Sequence, residues 1–240
     1  MTYKTRGIVL HHIKYSETSV IAKVYTEQFG IQSYLINRVR SRSSKIKANV
    51  FQPLSLMEMV VYHKENGGLQ RVNEVTNSHL FTSIPYDIAK CSIAFFIAEI
   101  LYRSIREEEA NSSLFQFLFN SIQILDLTTS NCANFHLIFM LQLTKHLGFY
   151  PNGNYTDKNK YFDLKDGTFL SEQPQHPHYM TPGLSECLSQ LLRMNFESFD
   201  SFKINKNNRK SVLVKLIEYY ELHLIRMKEV KSHLVLESVL

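Results

Sequence analysis

Val20-Ile21-Ala22-Lys23-Val24-Tyr25, followed at once by Thr26-Glu27-Gln28-Phe29-Gly30, decides how the first third of this chain folds. Val20, Ala22 and Val24 alternate with Ile21, Lys23 and Tyr25, the period of a half-buried strand. Residues 27–30 then close a turn, with Gly30 free to take a positive φ. Upstream, Gly7-Ile8-Val9-Leu10 opens a strand that runs to about Tyr15, and Ser16-Glu17-Thr18 makes a polar turn. Downstream, residues 31–39 read as a third strand and 54–63 as a fourth, approached through Pro53, where a missing N–H does least harm. Asn66-Gly67-Gly68 is a hairpin signal before a fifth strand at 69–75. Five short antiparallel strands imply a small closed barrel of the OB kind.

Helical periodicity takes over after residue 80. Pro85 suits a first helical turn ahead of residues 86–105. Glu107-Glu108-Glu109 is a solvated connection, and Asn111 or Ser112 is placed to cap a helix ending at Leu127. Ser130 or Asn131 is placed to cap a third helix, ended by Gly148 and apolar nearly all round, as a central core helix is. Residues 151–182 form a polar break. Inside it, Tyr161-Phe162-Asp163-Leu164-Lys165-Asp166-Gly167-Thr168-Phe169 reads as a hairpin with an Asp-Gly turn. Helices resume at 183–195 and from 209 to about 227, the latter with Leu213, Leu216, Ile217, Tyr220 and Leu224 on one stripe. The reading is an α+β chain: a five-stranded OB-like barrel over 1–80, then a mainly helical domain over 81–240 with a small hairpin insertion at about 160–170.

Charge is distributed unevenly. Residues 1–80 carry 11 Lys and Arg against 5 Asp and Glu, whereas 81–240 carry 16 against 17. The net +5 of the chain therefore sits in its first third. Arg38, Arg40, Arg42, Lys45 and Lys47 lie in one segment without a carboxylate, between the third and fourth strands. An extended backbone throws the three arginines to one side. Lys4, Arg6, Lys14, Lys23 and Arg71 belong to the same excess. Such cations neutralise phosphates and release counterions, so the barrel is a candidate nucleic-acid binder. The bland reading of the loop is a solvated segment that protects a sheet edge. Tyr3, Tyr15, Tyr25, Tyr34 and Phe51 are candidates to stack on bases, and half of them should face the barrel core.

Other chemistry has little footing. Cys91, Cys132 and Cys187 are far apart and form no CxxC pair; Cys91 and Cys132 read as small buried hydrophobes. His176-Pro177-His178 lacks a third metal ligand at recognisable spacing, and His11-His12 on a strand points to opposite faces. His136, His146 and His223 on helices read as packed or solvated. The sequence has no GxxxxGK[ST] loop, no GxSxG elbow and no HExxH pair, so an enzyme is not expected. The first residues lead into a strand and no apolar run reaches membrane length, which points to a reduced cytoplasmic setting.

Several stretches match a known family in order. Gly7-Ile8-Val9-Leu10, Tyr15-Ser16-Glu17-Thr18-Ser19 and Tyr25-Thr26-Glu27-Gln28-Phe29-Gly30 resemble the opening barrel pattern of the RecO family of bacterial recombination and DNA repair proteins. Phe51-Gln52-Pro53-Leu54-Ser55-Leu56-Met57-Glu58, Leu147-Gly148-Phe149-Tyr150-Pro151 and Tyr219-Tyr220-Glu221-Leu222-His223-Leu224 with Lys231-Ser232 are similar to later stretches of that family. The resemblance implies a non-enzymatic mediator that binds single- and double-stranded DNA and anneals complementary strands, including strands coated by single-stranded DNA-binding protein (SSB). It implies loading of RecA with RecR, docking of the SSB C-terminal tail on the helical domain, a nucleoid location and, in cells that have one, a RecF-like partner. Many relatives bind zinc through two CxxC pairs around the hairpin. This chain has no cysteine between Cys132 and Cys187, so zinc is not expected, and Tyr161, Phe162 and Phe169 are expected to hold the hairpin by packing. The competing class is an OB-type interaction module that grips RNA or an acidic protein partner.

Overall fold

The computed structural model describes residues 1–37, 51–64, 68–106, 108–225, 227 and 230–240. They form two compact units, Met1–Leu127 and Thr128–Leu240. The first unit contains a closed barrel of β1 (Thr2–Lys14), β2 (Val20–Thr26), β3 (Gly30–Ile36), β4 (Leu56–Tyr62) and β5 (Gln70–Asn77), in the order β1-β2-β3-β5-β4. Closure depends on the long β1, whose first half pairs with β4 and whose second half pairs with β2. Where β1 passes between partners, Gly7 is pressed so close to β2 that a Cβ there would lie 2.7 Å from Val24 Cγ1. The strand starts five residues earlier than the apolar pattern alone suggests, because backbone pairing with β4 carries the polar residues before Gly7. Val9, Val20, Ala22, Val24, Tyr34, Phe51, Met57 and Val61 fill the interior. Each large apolar side chain buried this way contributes about 1.5–3 kcal/mol.

Helices α1 (Ile88–Ser104) and α2 (Ser112–Leu127) complete this unit. Asp87 caps α1 by accepting from the N–H groups of Ala89 and Lys90, so Pro85 falls in the turn before the cap and not in the first helical turn. The Asn111 side chain accepts from Leu114 N at 3.0 Å at the start of α2. The link between β5 and α1 is fastened to the end of α2 by Asp126. That carboxylate is fully buried and accepts from Thr82 N (2.9 Å), Ser83 N (2.9 Å), Ile84 N (3.0 Å) and the Thr82 hydroxyl (3.1 Å), with His79 Nε2 at 3.0 Å. Lys90 Nζ donates to the Asp126 carbonyl at 3.0 Å and to Ser83 Oγ at 2.6 Å.

The second unit is built on α3 (Phe135–Leu147), α4 (Pro182–Leu192), α5 (Lys206–His223) and α6 (Ser232–Val239), with a small sheet of β6 (Tyr161–Asp163), β7 (Thr168–Leu170) and β8 (Tyr179–Met180). Helix α3 is the apolar central helix, buried from Phe135 to Met140 without a break. It begins later than Ser130 or Asn131 would set it. Asn134 occupies the cap position, yet its amide donates to Phe202 O at 2.7 Å instead of capping the helix. Gly148 ends the helix at φ 84°. Asn205 starts α5 three residues before Arg209 by accepting from Asn208 N at 2.8 Å, and the helix stops at His223, short of 227. Helix α6, at eight residues, is too short to show a helical period in the sequence, and only Leu236 of its residues is buried.

The hairpin is β6 and β7, and β8 adds to the free edge of β6. Phe162, Leu164 and Met180 are fully buried and Phe169 nearly so, while Tyr161 is half-buried at the edge beside Tyr179. Ser185 Oγ at the start of α4 accepts from Phe162 N at 2.9 Å and donates to Met180 O at 3.1 Å. Cys132 is buried as expected, whereas Cys91 on α1 is only half-buried.

Burial by itself raises the Asp126 pKa, but the N–H donors of Ile84, Thr82 and Ser83 with His79 outweigh it and hold the carboxyl well below its ordinary value. A folded pKa below the unfolded one gives stability that is complete above about pH 4 and is lost as pH falls toward the folded value. Asp126→Ala should therefore cost about 3–5 kcal/mol in urea unfolding at pH 7. Asp126→Asn should remove part of the loss of stability that the native chain shows between pH 4 and pH 2.

Candidate nucleic-acid interface

Strand register sorts the outward residues of the barrel into rows. Ile8, Tyr25, Ile31 and Leu56 lie on the outer face yet are buried, and Phe115 of α2 packs 6.1 Å from the Tyr25 ring. Arg6 secures this docking. Its guanidinium makes a bidentate pair with Glu27 (2.9 and 2.6 Å) and lies 5.2 and 4.8 Å from the Phe115 and Phe119 rings. The hydrogen bond and charge of Glu27 raise the Arg6 pKa, and Arg6 lowers that of Glu27.

A second outer face, formed by β1, β4 and β5, has mixed charge. Lys4 lies opposite Val60, which pairs with Glu74; Arg6 lies opposite Glu58. These side chains and Glu27 line a cleft of about 440 Å³. Three carboxylates here offset two cations, so the surface does not favour a polyanion.

The third face is open. Ile13, Ile21, Leu35, Arg71 and Tyr62 are partners in register around β1, β2, β3, β5 and β4. Ile13 and Tyr62 are half exposed, at 51% and 46%. In the next row, His11 lies opposite Lys23, which lies opposite Ser33, and Lys23 Nζ donates to Ser33 Oγ at 3.3 Å. Burial, with His12 beside it in the chain, lowers the His11 pKa. Lys14 pairs with Val20 at the barrel rim, on the other side of the ribbon from Ile13, next to the exposed Tyr15. Val20 pairs in turn with Ile36, and Ser19 Oγ donates to Asn37 Oδ1 at 3.2 Å. The basic stretch starts at the very next residue.

The expected cations therefore divide. Lys14, Lys23 and Arg71 surround the open face or its rim. Lys4 stands among carboxylates, and Arg6 is engaged by Glu27. Arg38, Arg40, Arg42, Lys45 and Lys47 lie outside the described residues. Of the candidate aromatics, Tyr34 and Phe51 fill the barrel and Tyr25 lies under Phe115, so none of these three is accessible to a base. Tyr3 and Tyr15 reach the surface. Sequence reasoning missed Tyr62, Leu35 and Ile21 as surface contacts, although the alternation that buries Ala22 and Val24 already turns Ile21 and Lys23 outward.

The histidine readings resolve locally. His11 and His12 face opposite sides, as their partners Lys23 and Ala22 require. His176 pairs with Asp163 at 3.2 Å and His178 with Glu218 at 2.7 Å. Among the described residues no group of three or more His, Cys, Asp and Glu is placed to hold a metal ion. His136 is fully buried, and burial with nearby Arg209 lowers its pKa to about 3, which keeps it neutral. His223 Nε2 donates to Leu164 O at 3.0 Å, and its ring stacks on Phe149. No helix among the described residues is long and apolar enough to cross a membrane.

The family model for the N-terminal domain of recombination protein O matches residues 1–81, and that for its C-terminal domain matches residues 85–232. The chain belongs to the RecO family. It is 43% identical over 240 residues to a DNA repair protein RecO of Bacteroides fragilis, covering all of this chain and 99% of the relative. It is 36% identical over 239 residues to one from Azobacteroides pseudotrichonymphae, covering all of this chain and 99% of that relative. For the RecO protein of Porphyromonas gingivalis the identity is 32%, over 93% of each chain. Both the barrel and the helical region of this RecO-family chain thus have counterparts throughout. Arg6→Lys should lower unfolding stability by about 1–2 kcal/mol, read as a lower urea midpoint, because an ammonium keeps the charge but loses the bidentate fork and the ring contacts.

Proposed function

We propose that the chain is a non-enzymatic recombination mediator. It binds single- and double-stranded DNA, anneals complementary strands and, with RecR, helps load RecA onto SSB-coated DNA at the nucleoid in the cytoplasm. The observation that carries this reading is the open barrel face: an apolar row of Ile13, Ile21, Leu35 and Tyr62 flanked by Lys23 and Arg71, with Lys14 at the rim where the basic stretch begins. OB barrels use this strand face for oligonucleotides. Membership of a family of DNA repair proteins agrees with it.

Annealing brings two polyanions together. Cations that neutralise phosphates reduce their repulsion, and an aliphatic row reads no base edges, so strands can search for register. No zinc takes part in this reading; the aromatic and aliphatic packing of Phe162, Leu164 and Phe169 holds the hairpin. An acidic SSB tail needs an apolar groove beside a cation. Leu184 and Val214, next to Lys210 and Lys215 between α4 and α5, supply that combination in a groove of about 460 Å³.

Annealing of SSB-coated complementary oligonucleotides is the decisive assay, and no acceleration by this protein overturns the proposal. In salt titrations with single-stranded DNA, Lys14→Ala/Lys23→Ala/Arg71→Ala should flatten the slope of log K against log salt by about 2, at roughly 0.7 per lost contact. Arg38→Ala/Arg40→Ala/Arg42→Ala should do the same, while Lys4→Ala leaves the slope unchanged. Stronger binding of RNA than of DNA in the same titration would favour the interaction-module reading.

A further inference from the structure

The outward row that carries Lys23 does not end at the barrel. His11, its register partner, is in contact with Tyr102 on the last turn of α1, with ring centroids 4.9 Å apart and an interplanar angle of 41°. Tyr102 remains 43% exposed, and His11 is exposed as well. A contact that only fastened α1 to β1 would bury both rings, as Phe115 and Tyr25 are buried where α2 docks. Here two flat rings in contact face solvent beside a lysine.

We propose that His11 and Tyr102 form a stacking platform for one unpaired DNA base, beside the apolar row of the open face described above. The inference rests on the DNA-binding reading of that face. Residues paired across adjacent strands lie about 5 Å apart. Lys23 Nζ turns toward Ser33 on β3, so it lies about two strand spacings, roughly 10 Å, from His11, a distance that one nucleotide spans with its phosphate at Lys23 and its base at His11 and Tyr102. The ligand class is single-stranded DNA, because a paired base inside a duplex has both faces occupied by its neighbours and offers none to a protein ring. The low His11 pKa agrees with a neutral ring that stacks and does not act as one more phosphate contact. The platform adds affinity without sequence preference, since every base has a π-face.

The chain contains no tryptophan, so Tyr102→Trp introduces a single fluorophore at the platform. The full-length variant is titrated with labelled oligo(dT), with oligonucleotide anisotropy and tryptophan emission followed together. Emission should be quenched in step with the anisotropy, whereas an oligonucleotide of abasic sites should bind with little quenching. Tyr102→Ala should weaken oligo(dT) binding about tenfold with an unchanged salt slope, because a stacked base releases no counterion. Tyr102→Phe should keep the affinity, and duplex binding should be the same in all three variants. Binding seen by anisotropy with no change in emission overturns the platform and leaves the DNA reading intact. Absence of anisotropy change with any DNA overturns the DNA reading and the platform with it.

Discussion

The Asp126 carboxylate is the point on which the first unit depends. It is fully buried and sits at the last turn of α2, yet its acceptors are taken up by the N–H groups of Thr82, Ser83 and Ile84, which lie between β5 and α1. One side chain thereby ties the end of the barrel, the start of α1 and the end of α2 together. A buried carboxylate is tolerable only with donors of this kind, since desolvation otherwise drives it to protonate. Once the link is fastened, α2 is held where Phe115 covers Tyr25 and where Arg6 lies over Phe115 and Phe119.

That docking divides the outside of a barrel whose strands are otherwise equivalent. One sector is sealed under α2. Another carries Lys4 and Arg6 among Glu27, Glu58 and Glu74, where the charges offset one another locally. The third remains open, apolar along Ile13, Ile21 and Leu35, with Lys23 and Arg71 beside it. In the proposed DNA-binding role, a polyanion meets the third sector through the arrangement of charge as much as through its amount.

In the second unit, an aromatic cluster packs around the hairpin of β6 and β7. Phe162 stacks obliquely with Phe169 at 5.0 Å, Tyr219 meets Phe162 at 5.8 Å, and the Tyr219 hydroxyl donates to Phe149 O at 2.6 Å. Gly167 turns beneath Tyr219 at φ 65°, where a Cβ would come within 2.6 Å of that hydroxyl. The packing thus depends on a residue that is small enough as well as on residues that are large.

Much of this was legible in the chain itself. Alternation through Val20 to Tyr25 specified a strand and its inner face, Gly30 and Gly148 marked a turn and a helix end, and the apolar character of α3 announced the centre of a core. These are local properties: side-chain period, backbone freedom and the count of apolar atoms. The start of α5 is a local cap, Asn205 accepting from Asn208 N, that lies upstream of the apolar stripe. The start of α3 was not legible, because the Asn134 side chain takes Phe202 O, far off in the chain, as its partner. Nor was the sorting of the cations and aromatics. Arg6 and Lys23 look alike as letters, and so do Tyr25 and Tyr62. The sequence by itself determined a basic barrel with a helical partner. Only the tertiary structure decided that Arg6 is committed to Glu27 while Lys23 borders an open row, because that depends on which strands meet and which face a helix covers, and both are set by contacts between residues far apart in the chain.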